Sequence, residues 1–235
     1  MEIPIIHEDK NFIVIDKPAG ILVHGGAGVQ GEAITDWLRE RYPEIAVVGD
    51  EPDVRPGIVH RLDKGTSGVM VIARTQDSFE ALKQLFKSRS VEKIYLALVI
   101  GSPKKDAGLI DGAIGRSLRN PTKRAIGEAA RGTRAALTHW KILERFKGYT
   151  LVEVAPKTGR MHQIRVHLAS IGHPIAGDHT YGAGRLAPEG LSRPFLHAWR
   201  LTFSYPEGRR WQFESALPND LSQILATLRT LRRNT

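Results

Sequence analysis

The sequence predicts an α+β fold, because strand-like segments come in runs and helix-like segments lie between only some of them. Segments rich in apolar and β-branched residues at 12–16, 69–73 and 91–101 are typical of strands. Apolar residues recur at helical spacing in 78–88 and 219–231. Strands and helices do not alternate regularly, so the pattern does not indicate a doubly wound parallel sheet.

Further segments fill in the order of elements. A Pro-Gly turn separates the first strand from a short strand predicted at 21–24, and a helix is predicted at 32–42. Two long strands at 134–145 and 149–155 are joined at Lys147-Gly148, which is a hairpin signal. These two strands are therefore expected to pair antiparallel.

The composition is that of a globular protein. At 235 residues, with 41% hydrophobic and 25% charged residues, the chain is most economically one domain or two intimate halves. The absence of cysteine excludes disulfides and thiolate metal sites and suits a reducing compartment. No window approaches the roughly 18 apolar residues of a membrane span, and the N-terminus lacks a signal-peptide pattern.

Charge is unevenly distributed along the chain, whose formal net charge is +9. Residues 1–56 carry 5 Lys/Arg and 11 Asp/Glu, a balance of −6, and the remainder holds 29 basic and 14 acidic residues, a balance of +15. Lys and Arg side chains that neutralise phosphates release counterions, which favours binding. The excess of basic residues beyond residue 56 therefore suggests a polyanionic partner such as nucleic acid. Residues 101–134 contain 8 Lys/Arg and are predicted to form an irregular or hairpin excursion. This excursion is either a solvated loop or a loop that binds RNA.

A Gly-rich stretch offers an alternative function. Residues 26–31 read G-x-G-x-x-G after a strand and before a helix, with Asp50 about 20 residues on, which is the outline of a dinucleotide-binding fingerprint. Two proline-containing loops interrupt the βαβ rhythm, and Glu32 would place a carboxylate near bound pyrophosphate. We interpret the stretch as a loop and keep a nucleotide-dependent oxidoreductase as the alternative.

The residues with the strongest chemical content lie in a polar turn at 56–68, P-G-I-V-H-R-L-D-K-G-T-S-G. Its glycines allow tight backbone and close approach of another chain or a ligand. Leu62 can anchor the turn in the core, while its neighbours Arg61 and Asp63 point the other way. Taken alone, the stretch predicts a β-turn with a local pair between Arg61 and Asp63.

A second polar motif, K-T-G-R-M-H-Q-I-R-V-H-L, occupies residues 157–168. Its apolar residues take one helical stripe that begins at Met161, with Arg165 at the margin of the stripe. His162 and His167 are five residues apart rather than four, and no H-E-x-x-H pattern is present. We therefore expect no metal site in this motif.

The two motifs resemble the signatures of the RluA-type pseudouridine synthases. H-R-L-D-K-x-T-S-G at 60–68 is similar to the first signature and T-G-R-x-H-Q-I-R-V-H at 158–167 to the second. Further matches are K-x-Y-x-A at 93–97, N-P-T-K-R at 120–124, G-H-P-I-A-G-D at 172–178 and L-H-A at 196–198. The resemblance, which extends over about residues 3–230, implies a single catalytic domain over 1–235. Its fold would be a mixed, mostly antiparallel central sheet with flanking helices and a basic cleft.

The resemblance also implies roles for individual residues. Asp63 is expected to be the catalytic carboxylate, Tyr95 to contact the target base and Arg165 to pair with Asp63. An arginine within about 4–6 Å would keep Asp63 ionised in a partly dry pocket. Arg61 and His60 are expected to contact RNA and to help extract the base. The supporting pocket residues are Lys17, Arg160, His162, Gln163 and His197.

The implied activity is isomerisation of uridine in RNA to its C5-linked form. The C1′–N1 bond breaks and a C1′–C5 bond forms without redox change or a group donor, so no cofactor and no metal are implied. Covalent attack by Asp63 on C1′ and removal of the C2′ proton both fit the sequence. The expected substrate is large-subunit ribosomal RNA; the alternatives are transfer RNA and a non-catalytic RNA-binding role in ribosome assembly. We expect a cytoplasmic monomer that binds no membrane.

The chain departs from the family pattern in two respects. Gly65 stands where relatives often carry Asp or Glu, which removes a charge beside Lys64 but no catalytic group. Many relatives also carry a small N-terminal RNA-binding domain, whereas residues 1–8 resemble the start of the catalytic domain. We therefore expect either a minimal enzyme or the catalytic part of a larger one.

Overall fold

The computed structural model describes residues 2–25, 31–120, 122–182, 187–206 and 208–233. Within these ranges, four α-helices and strands that pair mostly antiparallel confirm the predicted α+β class. The chain divides into two compact units, Met1–Glu92 with Ala198–Ala216 and Lys93–His197 with Leu217–Thr235. The single catalytic domain over 1–235 stays a prediction.

The described residues form twelve strands and four α-helices. The strands are β1 Ile5–Glu8, β2 Phe12–Lys17, β3 Ser67–Ala73, β4 Glu92–Ile100, β5 Ala107–Asp111, β6 Ile114–Ser117, β7 Arg124–Ile126, β8 Ala130–Arg134, β9 Leu137–Phe146, β10 Tyr149–Pro156, β11 Leu196–Ser204 and β12 Arg210–Glu214. The helices are α1 Ile34–Arg41, α2 Gln76–Lys87, α3 Gln163–Ser170 and α4 Asn219–Arg233. None of the helices in these ranges has both the length and the apolar character needed to cross a membrane.

The first unit contains strands in the order β1-β2-β3-β11, with β12 paired to β11. Every residue of β3 is buried, so this strand forms the centre of the unit's core. Gly68 in β3 has φ +116°, and a Cβ at this position would collide with the carbonyl oxygen of Ala198 on β11. The close approach of the two strands therefore requires glycine at position 68.

The predicted strand at 21–24 is wrong. Leu22 forms only an isolated parallel bridge with Ala33, and the amide of Ile34 donates to the Leu22 carbonyl at 2.8 Å. The segment thus pairs with the residues that enter α1 rather than with a strand of the sheet. Helix α1 itself lies within the range predicted for it.

The second unit is built on strands in the order β4-β10-β9-β5, which pair antiparallel throughout. Phe146 pairs with Tyr149, which confirms the predicted hairpin of β9 and β10. Helices α3 and α4 pack on this sheet through one buried apolar cluster, to which they contribute Ile164, Leu168, Leu221 and Leu225. This packing fixes the position of α3, the helix that carries Arg165.

The segment at 101–134, predicted to be an irregular or hairpin excursion, consists mostly of strands that pair antiparallel. Strand β5 joins the main sheet of the second unit, and β7, β6 and β8 form a separate three-stranded antiparallel sheet. Most side chains of this small sheet are exposed or half-buried, so the sequence lacks the apolar runs that predict strands. Residues 114–134 are called the basic arm below; its exposed arginines are Arg116, Arg119, Arg131 and Arg134.

Candidate active site

The turn that carries Asp63 is closed by its own backbone and anchored by a leucine. The amide of Thr66 donates to the carbonyl of Asp63 at 3.0 Å. Leu62 is 5% exposed, Arg61 is exposed and Asp63 is half-buried. The prediction that Leu62 anchors the turn while its neighbours point away from the core is therefore confirmed. The exposed guanidinium of Arg61 lies 3.5 Å from Nε2 of His24.

Lys17, at the end of β2, is fully buried and ties this turn to the sheet. Its ammonium donates to the carbonyls of Pro18 at 2.8 Å, Thr66 at 3.0 Å and Lys64 at 3.4 Å. The amide of Gly20 donates to the same Lys64 carbonyl at 2.8 Å. Because a buried ammonium is costly unless it is hydrogen-bonded, these carbonyls hold Lys17 and Lys17 holds the turn. The supporting role predicted for Lys17 thus has a specific geometry.

His60, at the start of the turn, makes contacts that are structural. Its Nε2 accepts a hydrogen bond from the amide of Val71 at 3.0 Å, which places the proton of a neutral ring on Nδ1. Its ring stacks on Phe86 of α2 at a centroid distance of 4.5 Å and an interplanar angle of 17°. These contacts fix the turn to β3 and α2. A part for His60 in RNA binding stays a prediction.

Strand β4 carries Lys93 and Tyr95, which point to the same face because they are two residues apart. Tyr95 is half-buried, lies opposite Val154 on β10 and packs against the apolar core. Nζ of Lys93 donates to the Thr158 carbonyl at 3.3 Å. Burial lowers the pKa of Lys93 to about 8, with a smaller contribution from the charge of Lys157. Lys93 thus loses its proton far more readily than an exposed lysine does.

Arg165, on α3, forms a two-pronged ion pair with Asp178. Nε donates to Oδ2 at 2.7 Å and Nη2 donates to Oδ1 at 2.8 Å. Arg165 is 8% exposed and Asp178 is fully buried. The amides of Thr180 and Tyr181 also donate to Oδ1, at 2.9 and 3.3 Å. The guanidinium carbon lies 5.2 Å from the centre of the Tyr181 ring, so a carboxylate and an aromatic face both hold this arginine.

The hydroxyl of Tyr181 connects the start of α3 to the basic arm. It lies 2.9 Å from Nδ1 of His162 and accepts the backbone amide of Arg124 at 3.1 Å. Since the hydroxyl accepts from Arg124, its own proton is available for Nδ1 of His162. His162 has φ +57° and immediately precedes α3. Met161 lies outside the helix and is 39% exposed, so a helical stripe that begins at Met161 was the wrong prediction.

Gln163 uses all of its amide contacts to attach the start of α3 to β9. Its Oε1 accepts from the hydroxyl of Thr158 at 2.7 Å and from the amide of Arg160 at 3.0 Å. Its Nε2 donates to the carbonyl of Leu137 at 3.0 Å and to the hydroxyl of Thr138 at 2.9 Å. The side chain is 4% exposed. These contacts support a structural role for Gln163 in orienting α3.

Comparison with known proteins places this architecture in a family. The sequence model of RNA pseudouridylate synthases matches residues 11–170, a span that includes the Asp63 turn, Tyr95 and Arg165. The chain belongs to this family. Asp178 and Tyr181, which hold Arg165, lie beyond the matched span.

Named members of the family are similar over nearly the whole chain. Ribosomal large subunit pseudouridine synthase D of Nitrosomonas europaea is 41% identical over 97% of this chain, and the chain spans 65% of that protein. The protein of the same name in Pseudomonas aeruginosa is 40% identical over 97% of this chain and 72% of its own length. The structure of Human RNA Pseudouridylate Synthase Domain Containing 4 matches with a TM-score of 0.75 and 32% identity, covering 96% of this chain and 93% of that one.

The predicted site residues of this pseudouridylate synthase family member are divided between the two units. Lys17, His60, Arg61 and Asp63 lie in the first unit, and Tyr95, Arg160, His162, Gln163, Arg165 and His197 lie in the second. The structure brings Lys17 to the Asp63 turn, and it brings His162 and Arg165 to Tyr181. Nε of Arg160 donates to the Ala135 carbonyl at 3.2 Å, and His197 is fully buried at the start of β11.

Sequence reasoning missed three residues of the second unit. Asp178 and Tyr181 lie in a segment that is similar to the family, but the sequence alone gave them no role. The signal that could have identified Asp178 is a lone carboxylate directly after the apolar residues 175–177. His167 is fully buried, with Nδ1 2.9 Å from the Thr138 hydroxyl and Nε2 3.0 Å from the Gly112 carbonyl. Burial lowers the pKa of His167, in keeping with a structural, neutral ring.

The structure bears differently on metal binding and on dinucleotide binding. Among the described residues, no three His, Asp or Glu side chains are grouped in a way that could hold a metal ion. Residues 26–30 of the predicted dinucleotide fingerprint lie outside the described residues, so the nucleotide alternative is addressed by experiment below.

Proposed function

We propose that the protein is an RNA pseudouridine synthase that isomerises specific uridines in structured RNA, most directly large-subunit ribosomal RNA. The observation that carries this proposal is the family match over 11–170, within which the H-R-L-D turn is intact and ordered by Lys17. The bacterial relatives named for ribosomal RNA, at about 40% identity, support the choice of substrate. The protein would act in the cytoplasm as a monomer.

In the proposed reaction, the uracil changes its link to the sugar carbon C1′ from N1 to C5. The C1′–N1 bond breaks, the uracil turns, a C1′–C5 bond forms, and the proton at C5 leaves while N1 gains one. Atoms and charge therefore balance without a cofactor. Asp63 is the carboxylate in this scheme, acting either by attack on C1′ or by removal of the C2′ proton. Tyr95 contacts the uracil and can take part in proton transfer at C5.

Arg165 has the electrostatic role in this proposal. A carboxylate that enters a partly dry pocket tends to take up a proton, and a nearby guanidinium opposes that tendency. The ion pair with Asp178 uses Nε–H and one N–H of Nη2. A guanidinium has five N–H donors, so the fork also has donors that point away from Asp178. The resemblance to the family implies that Asp63 is the carboxylate that this guanidinium keeps charged.

Extraction of the target base falls to Arg61 in this proposal. Removing a base from a stacked helix costs a few kcal/mol, and a planar side chain that fills the vacated space recovers part of that cost. Arg61 is exposed and adjacent to Asp63 in the chain, and its guanidinium can stack on bases. The exposed arginines of the basic arm supply phosphate contacts that would strengthen binding without reading sequence.

The experiment that tests the function is direct. Purified protein is incubated with transcripts of large-subunit ribosomal RNA and of transfer RNA, and pseudouridine is mapped by carbodiimide modification and reverse-transcription stops. We expect a new stop at a defined uridine of the ribosomal transcript. Conversion of transfer RNA alone would move the substrate to the alternative, and binding without conversion of either RNA would favour the non-catalytic module. Calorimetric titration with NAD tests the oxidoreductase alternative in parallel.

A further inference from the structure

Helix α2 ends in a motif whose special position is usually occupied by glycine. The amide of Ser90 donates to the carbonyl of Leu85 at 2.9 Å, and the amide of Arg89 donates to the carbonyl of Phe86 at 3.3 Å. These two hydrogen bonds define a Schellman motif, in which the residue after the helix cap is left-handed and most often glycine. Here that residue is Arg89, with φ +62°. Its backbone is strained, because the Cβ approaches a carbonyl oxygen in this conformation.

Helix α3 ends in the same motif with glycine at this position. The amide of His173 donates to the carbonyl of Leu168 at 3.0 Å, and the amide of Gly172 donates to the carbonyl of Ala169 at 3.0 Å. Gly172 has φ +82°, which costs glycine nothing. The arginine at the end of α2 therefore brings a strain that the motif itself does not require.

The side chain of Arg89 does not complete the helix end. It is exposed, and it makes no ion pair or hydrogen bond with another residue that the structure describes. The helix dipole favours a cation near the last carbonyls, but the exposed Lys87 already supplies one from the last turn. The amides of residues 88–90 all donate within the motif, so only side chains can contact a ligand at this corner.

This corner of α2 lies against the turn that carries Asp63. The ring of Phe86, whose carbonyl accepts the Arg89 amide, stacks on His60 at a centroid distance of 4.5 Å. His60 precedes Asp63 in the same turn, and all of these residues belong to the first unit. Arg89 and Lys87 thus place two exposed positive charges beside the proposed catalytic loop.

We propose that Arg89, assisted by Lys87, binds a backbone phosphate of the RNA substrate close to the target uridine. This inference rests on the proposed function, because it takes the bound polyanion to be the substrate RNA. The planar fork of a guanidinium matches two oxygens of a phosphate, which an ammonium meets only as a point charge. Strained residues persist where function requires them, and the contact with RNA offsets the strain of Arg89.

Arg89→Gly separates this role from a structural one. Because the substitution relieves strain, the melting temperature should be unchanged or higher by up to about 3 °C. Affinity for a transcript of large-subunit ribosomal RNA should fall roughly 3- to 10-fold, and the slope of log affinity against log salt should become shallower by about 1. KM should rise while kcat stays within about twofold. An unchanged affinity and salt slope would overturn the proposal, and so would a melting temperature several degrees lower.

Lys10 provides a matched control in the same unit. It is exposed, and the carbonyl of its neighbour Asn11 accepts the hydroxyl of Ser78, which places Lys10 at the opposite end of α2. At about 1.5 Å per residue, the 12 residues of α2 separate the two ends by about 18 Å. Lys10→Gly removes the same charge and should leave affinity within about twofold, because salt screens charges at this distance. Equal losses of affinity in Lys10→Gly and Arg89→Gly would refute a site at Arg89.

Phosphate ethylation of the RNA separates this inference from the proposed function. Ethylation neutralises single phosphates, and at one phosphate it should weaken binding to the unmodified protein but not to Arg89→Gly. That phosphate should lie close to the mapped uridine. Identical interference patterns for the two proteins would refute the contact even if pseudouridine forms. Loss of one interference site without any pseudouridine formation would support the RNA contact and refute the isomerase function alone.

Discussion

The ammonium of Lys17 donates to the carbonyl of Thr66 at 3.0 Å, which links the end of β2 to the last residue before β3. The Asp63 turn lies immediately before this contact in the chain, and its closing bond runs from the Thr66 amide to the Asp63 carbonyl. Thr66 is therefore held at both its amide and its carbonyl. The buried ammonium of Lys17 thus fixes the geometry of the proposed catalytic loop.

Replacement of Lys17 by Met should lower both stability and activity. The substitution leaves the carbonyls of Pro18 and Thr66 without their ammonium donor, which we expect to cost about 2–4 kcal/mol of unfolding free energy. Lys64→Met is the control, because Lys64 is exposed and its contact with Lys17 uses its backbone carbonyl. Chemical denaturation and turnover are the measurements. Equal stability of the two variants would contradict the structural role of Lys17.

Substitution of Gly68 separates close strand approach from backbone strain. In Gly68→Ala, the backbone is strained because φ is +116°, and the new Cβ would also collide with the carbonyl oxygen of Ala198. In Gly20→Ala, the backbone is strained because φ is +90°, but the new Cβ would have no atom within 4 Å. We expect Gly20→Ala to cost about 1–2 kcal/mol and Gly68→Ala about 3 kcal/mol or more. Thermal and chemical unfolding of the purified variants measure the two losses of stability. A smaller loss in Gly68→Ala than in Gly20→Ala would contradict this prediction.

Lys93 predicts a pH dependence of stability. Its folded pKa of about 8 lies below its ordinary value of 10.5, so the cost of burying its charge is fully present below pH 8. As pH rises from about 8 to 10.5, the folded protein loses this proton while the unfolded chain keeps it, and stability from this group rises. Lys93→Met should therefore be more stable than the unmodified protein at pH 7, by about 1–3 kcal/mol, and the difference should vanish near pH 10.5.

The measurement for Lys93 is chemical denaturation at several pH values between 7 and 10.5. Lys157→Met serves as a control for charge removal near the same position, because it should raise the pKa of Lys93 towards its ordinary value by removing a repulsion. In a Lys157→Met background, the stability gained from Lys93→Met at pH 7 should therefore be smaller, and it should still vanish near pH 10.5. A stability difference that does not change with pH would contradict a lowered pKa.

Local sequence patterns predicted the parts of the fold that local physics determines. Leu62 is buried between polar neighbours as alternation requires, and the Lys147-Gly148 signal gives the hairpin of β9 and β10. The prediction at 21–24 failed because the backbone of Leu22 pairs with residues entering α1, a choice that apolar runs do not encode. The strands of the basic arm were predicted only as an irregular or hairpin excursion, since most of their side chains face water and carry no apolar period.

The candidate site was predicted through motifs, and its supporting contacts were not. Arg165 and Asp178 are thirteen residues apart, with α3 ending between them, so no helical or strand spacing relates them. The partners of Lys17 are backbone carbonyls, which any residue type supplies and which a sequence therefore cannot mark. Motifs identify side chains that do chemistry, whereas the groups that orient those side chains depend on the tertiary fold.

The central claim concerns the carboxylate of Asp63. Asp63→Asn removes the charge while keeping the shape, so the turn closed by Thr66 should persist and RNA affinity should stay within about threefold. Asp53→Asn, at an exposed carboxylate of the same unit, is the matched control and should retain full activity.

The most direct test is single-turnover conversion of the mapped uridine by the unmodified protein, Asp63→Asn and Asp53→Asn, with RNA binding measured in the same samples. The account predicts that Asp63→Asn binds RNA and loses at least about a thousandfold in rate. Conversion by Asp63→Asn at a rate near that of the unmodified protein would contradict it.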